Sequence, residues 1–467
     1  MTAERDLAAE AVERATRAIA GADVLAAANR HQMALTRFAN SAIHQNVAED
    51  VTRLQLTVHR EGRTASGSAT VVGPGDVAAL VERTVDSVRI APRDPGWPGV
   101  AAPAPAGTTP MVDQATAHAS PADRAHLVHA FVEGAGGLET AGYCRTTHWT
   151  GSLATSGGQL TSGEAVECGM SGIARHQGAD GASRHAPLTL SDLDGAALGA
   201  RAAAKARAQA TPIDLEPGRY EVVLEPAAVA DILASLALAG FNGKAINERQ
   251  SFVRLGDQQF DPAISLVDDP LAVGFGFDHE GTPRRRHVLV DAGTTVALTH
   301  DRRTAAEAGA TSTGHAFETR FAFGAIAQHL CLLSPDTDPH AGPASPPAGE
   351  VDGPVVDASV ADLVAGVEQG LLVSDLWYTR MLDPRALVIT GLTRNGVWRI
   401  EHGQITSPVS NLRFTQSYAQ ALMPGNVRDL GGTATPLPGD TYGATSPRWT
   451  CPALHLAAWN VTGGAAG

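Results

Sequence analysis

Between Val51 and Arg60 the chain reads VTRLQLTVHR, an unbroken alternation. Leu54, Leu56 and Val58 point to one side of an extended backbone, and Arg53, Gln55, Thr57 and His59 to the other. A period of two with one apolar face defines a half-buried strand of an antiparallel sheet. Glu61-Gly62 turns it into a second extended run, TASGSATVV, and ADVLAAA and MALTRFAN precede it as extended segments. Helical spacing brackets these strands. Ala8, Val12, Ala15 and Ile19 repeat before Gly21, and Val77, Leu80, Val81, Thr84 and Val88 follow Asp76, which is placed to cap them.

Residues 92–110, PRDPGWPGVAAPAPAGTTP, hold six prolines. A segment so poor in backbone donors predicts an exposed connector. Ser120-Pro121 opens a helix to about Gly134. Short Gly-, Ser- and Thr-rich strands occupy about 138–188, an alanine-rich helix spans 191–210, and TPIDLEPG marks a boundary. From Arg219 onward strands dominate. Asp-Ala-Gly, Asn-Gly and His-Gly between them suit hairpin turns. Ser359 with Asp362 reads as a capping box, with Val360, Leu363, Val364 and Val367 facing inward. The fold class is therefore α+β. An N-terminal helix–antiparallel-sheet domain covers 1–214, with the proline-rich connector at 92–119 inside it. A larger, mainly antiparallel β domain covers 215–467, with a mobile loop at about 334–354.

The net charge of −14 opposes a nucleic-acid or anionic-membrane surface. The longest apolar run, Ile232–Phe241, is far short of the ~20 residues that cross a bilayer. The N-terminus has no continuous apolar core and does not read as a secretory signal. Cys144, Cys168, Cys331 and Cys451 lie far apart with no CxxC pair, so no disulfide framework or Cys-rich zinc site is implied. These features describe a soluble, multi-domain protein of a reducing compartment.

Seventeen histidines invite a metal search, but no His-Glu-x-x-His occurs. His126 and His129 share a helix on which Leu127, Val128 and Phe131 define the buried face, so both are expected in water. Asp278, His279 and Glu280 are consecutive; adjacent side chains diverge, which favours a structural turn over chelation. Arg284, Arg285 and Arg286 read as an exposed, charged strand edge. There is no Gly-x-Ser-x-Gly elbow and no phosphate-binding glycine loop. Cys451 near His455 reads as a buried thiol rather than a nucleophile.

Three longer stretches carry a resemblance. ALTRFANSAIHQNV (34–47), FDHEGTPRRRHVLVDAGTTVALTHDRRTAAEAGATSTGHA (277–316) and GLTRNGVWRIEHGQITSPVSNLRF (391–414) resemble, in order, the hallmark blocks of the TldD/PmbA family. That family has two kinds of subunit. The TldD type is a zinc metallopeptidase with a His-Glu-x-x-x-His helix and a C-terminal-region cysteine as ligands. The TldE/PmbA type lacks the metal helix and pairs with it. The heterodimer degrades or trims unstructured peptides, including natural-product precursors, and an extended peptide adding as a strand is the implied binding mode.

In the catalytic type the metal helix is followed by Phe-Asn-x-Lys, which Phe241-Asn242-Gly243-Lys244 resembles. Matched from that anchor, the His, Glu and second His positions fall on Ala230, Asp231 and Ser235. No histidine occurs between His185 and His279. An acid at the general-base position makes no hydroxide without a metal-bound water. Val229, Ile232, Leu233 and Leu236 form a single apolar stripe, while Ala230, Ala234, Ala237 and Ala239 keep the other faces small. An ordinary core helix would look the same by composition.

The resemblance implies a metal-free, TldE-like subunit with no catalytic, cofactor or metal residues of its own, and with zinc in a TldD-type partner. Two alternatives stand beside it. One is a self-sufficient homodimeric hydrolase with a relocated site using Cys451, His315 or His455. The other is a peptide- or protein-binding module without turnover. The family is also described as a modulator of DNA gyrase; with this acidic balance, such an effect would act through a peptide or protein.

Overall fold

The computed structural model describes residues 3–318, 320–333, 356–439 and 447–464, so the expected loop at 334–354 lies outside the described residues. The first half is one antiparallel sheet. Its strands are β1 (Asp23–Ala39), β2 (Ala42–Arg60), β3 (Arg63–Thr70), β4 (Glu139–Thr155), β5 (Leu160–His176) and β6 (Ala179–His185), in the order β3-β2-β1-β4-β5-β6. The two short extended segments expected before residue 42 are one continuous strand. The alternation predicted for β2 holds: Leu54, Leu56 and Val58 are fully buried.

All helices of this half cover one face. Helices α1 (Ala3–Ala18) and α2 (Asp76–Ile90) pack Ala8, Ala11, Ala15, Leu80 and Val88 against Val24, Ala26, Leu54 and Leu56. Helix α3 (Gln114–Ala117) is a single turn. Helices α4 (Pro121–Gly134) and α5 (Gly195–Ala208) cover the other end, where Phe131 meets Phe38 at 5.4 Å between ring centroids. Capping differs from expectation at α2. Gly75 occupies the cap, and Asp76, inside the first turn, accepts the Val72 and Gly73 N–H groups at 2.7 and 2.8 Å. At α4 the Ser120–Asp123 capping box forms.

The second half carries helices α6 (Pro226–Ser235), α7 (Gly243–Asn247) and α8 (Arg302–Ala308) and two sheets. Strands β7 (Gly218–Leu224), β8 (Ser265–Asp268), β9 (His287–Asp291), β10 (Thr294–Thr295), β11 (His329–Leu333), β12 (Gln369–Asp383), β13 (Val388–Glu401) and β14 (Gln404–Pro408) come first. Then follow β15 (Leu412–Ser417), β16 (Val427–Leu430), β17 (Thr435–Pro438), β18 (Arg448–Cys451) and β19 (Leu454–Gly464). One sheet runs β10-β9-β8-β11-β18-β17, with β11–β18 parallel. The other runs β12-β7-β19-β15-β13-β14, and an additional β12–β13 pairing closes β12, β7, β19, β15 and β13 into a ring. Helix α6 is buried between them, and its apolar stripe joins both inner faces in the largest core.

Turn chemistry explains most of the hairpins. Ala292-Gly293 and His402-Gly403 take left-handed φ at the β9–β10 and β13–β14 turns. Asn395-Gly396 does not turn the chain. It is an irregularity inside β13, with Asn395 left-handed and its amide donating to buried Asp375 at 2.8 Å. The helix Ala358–Ala365 is capped by Asp357, not Ser359: Asp357 Oδ1 accepts the Val360 N–H at 2.9 Å, and Ser359 donates to the same carboxylate.

The proline-rich connector is irregular but not free. It lies in the seam between the halves, with Ala101 buried. Gln159 holds Ala104 through both backbone groups (2.6 and 2.9 Å), the Gly107 N–H donates to the Gly276 carbonyl at 2.7 Å, and Arg302 reaches the Pro98, Gly99 and Val100 carbonyls. Prolines supply no N–H, but their carbonyls remain strong acceptors, and Arg302 uses that of Pro98 with those of Gly99 and Val100. Opposite the helices, Phe275 and Phe277 pack on Leu25, Ala27 and Leu153 of the first sheet.

A paired charge clamps the same seam. Arg303 of α8 donates twice to Asp94 at 2.9 and 2.8 Å. The Arg303 guanidinium, helped by the Thr64 hydroxyl, holds Asp94 below the usual carboxylate range despite partial burial. A depressed folded-state pKa contributes stability that is complete above the unfolded value of about 3.9 and is lost as pH falls through the folded value. Asp94→Asn is therefore expected to melt below the parent at pH 7 and to converge with it as acid titrates Asp94. Melting curves that stay equally separated down to pH 2 would contradict this.

Candidate functional site

Helix α6 starts on Pro226, whose fixed φ suits the first helical position. Val229, Ile232, Leu233 and Leu236 are buried as one stripe. The helix then widens into a π turn, Leu236–Gly240, closed by Phe241 N–H donating to the Leu236 carbonyl at 3.2 Å. Asn242 stops it. Its Oδ1 caps α7 by accepting the Lys244 N–H at 3.0 Å, and its amide donates to the Leu238 and Phe323 carbonyls. Gly243 admits no side chain, because a Cβ there would lie 2.3 Å from His300 Nδ1. Phe241-Asn242-Gly243-Lys244 is thus the mechanical end of the helix.

Of the positions matched to metal ligands, Ala230 is buried and Ser235 half-buried. Asp231 lies between them and is engaged from two sides. Thr379 donates to its Oδ1 at 2.7 Å and buried Tyr418 to its Oδ2 at 2.6 Å. Burial first, and Asp231 second, push the Tyr418 hydroxyl well above its ordinary pKa, so it remains a donor. Tyr418→Phe removes one of these bonds and leaves Thr379 in place. The expected cost is about 1–2 kcal/mol of stability, read as a lowered melting temperature. An unchanged melt would mean that Asp231 does not need this donor.

Cys451 sits beside the start of the same helix, and its Sγ–H donates to the Pro226 carbonyl at 3.3 Å. Burial, with Cys331 nearby, pushes the Cys451 thiol well above its ordinary range, and burial pushes Cys331 up to about 12. Neither is a thiolate near neutrality. His315 is fully buried between Thr313 (2.8 Å) and Asp268 (2.9 Å). His455 pairs with Glu221 across β19 and β7 at 2.8 Å. Cys451, His315 and His455 therefore keep three separate sets of partners and are not brought together as nucleophile and base.

The other candidates divide as follows. His126 and His129 are exposed on α4, on its wet face. Asp278 organises its turn: Oδ1 accepts the Glu280 and Thr282 N–H groups at 2.9 Å each, and Oδ2 accepts that of Ala316 at 3.0 Å. Glu280 accepts the Arg302 N–H at 2.8 Å, and His279 lies edge-on to Phe317. The three consecutive side chains diverge, as adjacent positions should. The exposure expected at 284–286 holds for Arg285 and Arg286, but they precede the strand rather than edge it, since β9 begins at His287. Arg284 is buried, donating to the Gly314 carbonyl at 3.3 Å, because the chain enters β9 only at His287 and position 284 still points inward. Among the described residues, no group of three or more His, Cys, Asp or Glu could hold a metal ion. Nor is any helix long and apolar enough to cross a membrane.

Thr379 and Tyr418, which fix Asp231, carried no signal in the sequence. They lie 148 and 187 residues away and arrive only through the closed sheet.

The profile of the PmbA/TldA metallopeptidase C-terminal domain matches residues 217–463, more than half of the chain. No curated protein matches. Among solved structures, TldE from Thermococcus kodakarensis is 15% identical, with a TM-score of 0.81 over 98% of this chain and 100% of that one. A proposed modulator of DNA gyrase from Thermotoga maritima is 15% identical, with a TM-score of 0.79 over 97% and 100%. Another from Bacteroides thetaiotaomicron is 19% identical, with a TM-score of 0.77 over 99% of each chain. At these identities the likeness speaks for the fold.

Proposed function

Because this chain belongs to the PmbA/TldD metallopeptidase family, we propose that it is the TldE-type, non-catalytic subunit of a heterodimeric zinc peptidase acting on unstructured peptides in the cytoplasm. The observation that carries the proposal is the chemistry of α6. Zinc takes imidazole, thiolate or carboxylate ligands. Ala230 offers no donor and Ser235 only a hydroxyl, while the Asp231 carboxylate is already bound by Thr379 and Tyr418. Cys451 is a buried thiol turned to a carbonyl. These residues do not fit a catalytic zinc, and no hydrolytic step is assigned to them.

The chain's own contribution is then structural. A stripe of fully buried aliphatic side chains replaces a ligand helix, and Asp231 ties that helix to β12 and to Tyr418. This rigid wall would shape a chamber shared with the partner's active site. The test is zinc content and cleavage of an unstructured peptide, with the chain alone and co-expressed with a TldD-type subunit. The lone chain is expected to hold no stoichiometric zinc and cleave nothing, and the pair to show chelator-sensitive cleavage. Stoichiometric zinc on the lone chain would defeat the proposal. Peptide binding without turnover in the presence of every TldD-type subunit would point to a binding module.

A further inference from the structure

Resting on the TldE-type reading above, we infer that the outer face of β12 around Trp377 and Tyr378 is the surface on which the chain docks an acidic face of its TldD-type subunit. Trp377, Tyr378 and Leu382 are 46%, 63% and 60% exposed within six consecutive residues. Large apolar side chains scattered singly need no explanation, but three gathered on one short stretch mark an interaction site. Trp, Tyr and Arg are also the side chains most enriched where binding energy concentrates.

The backbone is shaped to present them. The register of β12 against β13 shifts between Trp377 and Arg380, and Tyr378 takes a left-handed φ of 53°. A bulky residue there is strained. The irregularity breaks the inward–outward alternation, so Leu376 is buried while Trp377 and Tyr378 both stay exposed. Thr379 instead turns to Asp231, and Gly391 opposite leaves room, since a Cβ there would lie 2.8 Å from Thr379 Cγ2.

Charge selects the occupant. The Arg380 guanidinium lies 4.2 Å from the Tyr378 ring centroid, and that of Arg394 4.6 Å from the Trp377 ring. Neither arginine has a carboxylate within ion-pair distance among the described residues. They form a cationic island on a chain of net charge −14. A second copy docked by a two-fold axis would set these arginines against one another and bring two acidic bodies together. The chain's net charge of −14 opposes nucleic acid. A protein face with carboxylates around an apolar centre complements the patch.

The experiment is sedimentation and affinity measurement of the full chain with its co-expressed TldD-type subunit. The variants are Trp377→Ala and the pair Arg380→Glu/Arg394→Glu, with Arg83→Glu/Arg89→Glu on the exposed face of α2 as a control of equal charge change. The patch variants are expected to keep the parent's melting temperature and weaken the complex by at least about tenfold, while the control binds like the parent. Patch variants that bind like the parent would overturn the docking surface and leave the TldE-type reading intact. A parent chain that binds no TldD-type subunit would overturn both. A homodimer of the lone chain that dissociates on Arg380→Glu/Arg394→Glu would make the occupant a second copy, which also overturns the inference.

Discussion

Glu225→Ala is expected to destabilise the chain by about 3–5 kcal/mol, because it strips two buried cations of their shared carboxylate. Glu225 accepts from Lys205 Nζ at 2.6 Å and from Arg201 Nη2 at 3.1 Å, and all three side chains are at most 7% exposed. Lys205 retains Ser374 at 2.8 Å and Arg201 retains Asp357 at 3.3 Å, but neither replaces the carboxylate that Lys205 loses. Lys205 and Arg201 lie on α5, and Glu225 lies just before α6, so the cluster joins the two halves. Burial alone would raise the Glu225 pKa; Lys205, Arg201 and their hydrogen bonds outweigh it and hold the carboxyl below its ordinary range. The sign follows. The contribution of Glu225 is complete above the unfolded value of about 4.3 and is lost as pH falls through the folded value. The gap between parent and Glu225→Ala should accordingly narrow in acid. The double change Lys205→Met/Glu225→Leu removes both charges together and should recover much of the loss. Thermal and urea unfolding check both expectations, and a double variant no better than Glu225→Ala would contradict the charge argument.

Asp278→Ala is the second large effect. It leaves the buried Glu280 and Ala316 N–H groups and the half-buried Thr282 N–H without their acceptor, at about 1–3 kcal/mol each where water cannot enter. It also deprives buried Arg284 of a neighbouring carboxylate, whose attraction opposes the cost of burying that guanidinium. The combined loss is expected to be about 4 kcal/mol or more, less whatever the turn recovers by relaxing. Asp278→Asn should fall between. Its amide oxygen can still accept the Glu280 and Thr282 N–H groups, but its NH₂ faces the Ala316 N–H, donor against donor. Because the turn carries Phe275 and Phe277 onto the first sheet, proteolysis of the connector at 92–119 should accelerate in Asp278→Ala. A variant that melts and resists protease like the parent would mean that solvent reaches the turn.

Local pattern gave much of the architecture. The alternation at 51–60, the amphipathic helices and the Ser120-Pro121 helix start are each set by residues a few positions apart, and the structure follows them. Misreadings came where a local signal had a distant competitor. Asn395-Gly396 has ideal hairpin chemistry, yet pairing of β13 with β12 on both sides keeps the chain extended, and Asn395 bonds Asp375 instead. Ser359 lost the cap to Asp357, whose side chain reaches the Val360 N–H while also accepting from Ser359. Arg284 looked like edge charge beside Arg285 and Arg286, but Asp278 and the Gly314 carbonyl hold it inside. The connector is irregular and exposed over much of its length, as its composition predicts, but that composition says nothing about who uses its carbonyls.

The candidate site divides in the same way. The sequence by itself determined that α6 carries an aliphatic stripe, that positions 230 and 235 offer no imidazole, and that Phe241-Asn242-Gly243-Lys244 follows, since these depend only on residue identity and helical period. Only the tertiary structure decided that Asp231 is bound by Thr379 and Tyr418, that Cys451, His315 and His455 keep separate partners, and that Trp377 and Tyr378 stand exposed on β12. The Thr379 contact and the exposure of Trp377 and Tyr378 depend on the pairing of β12 with β13 and on one register shift within it. Long-range pairing brings together residues more than a hundred positions apart, and no local period encodes which of them will meet.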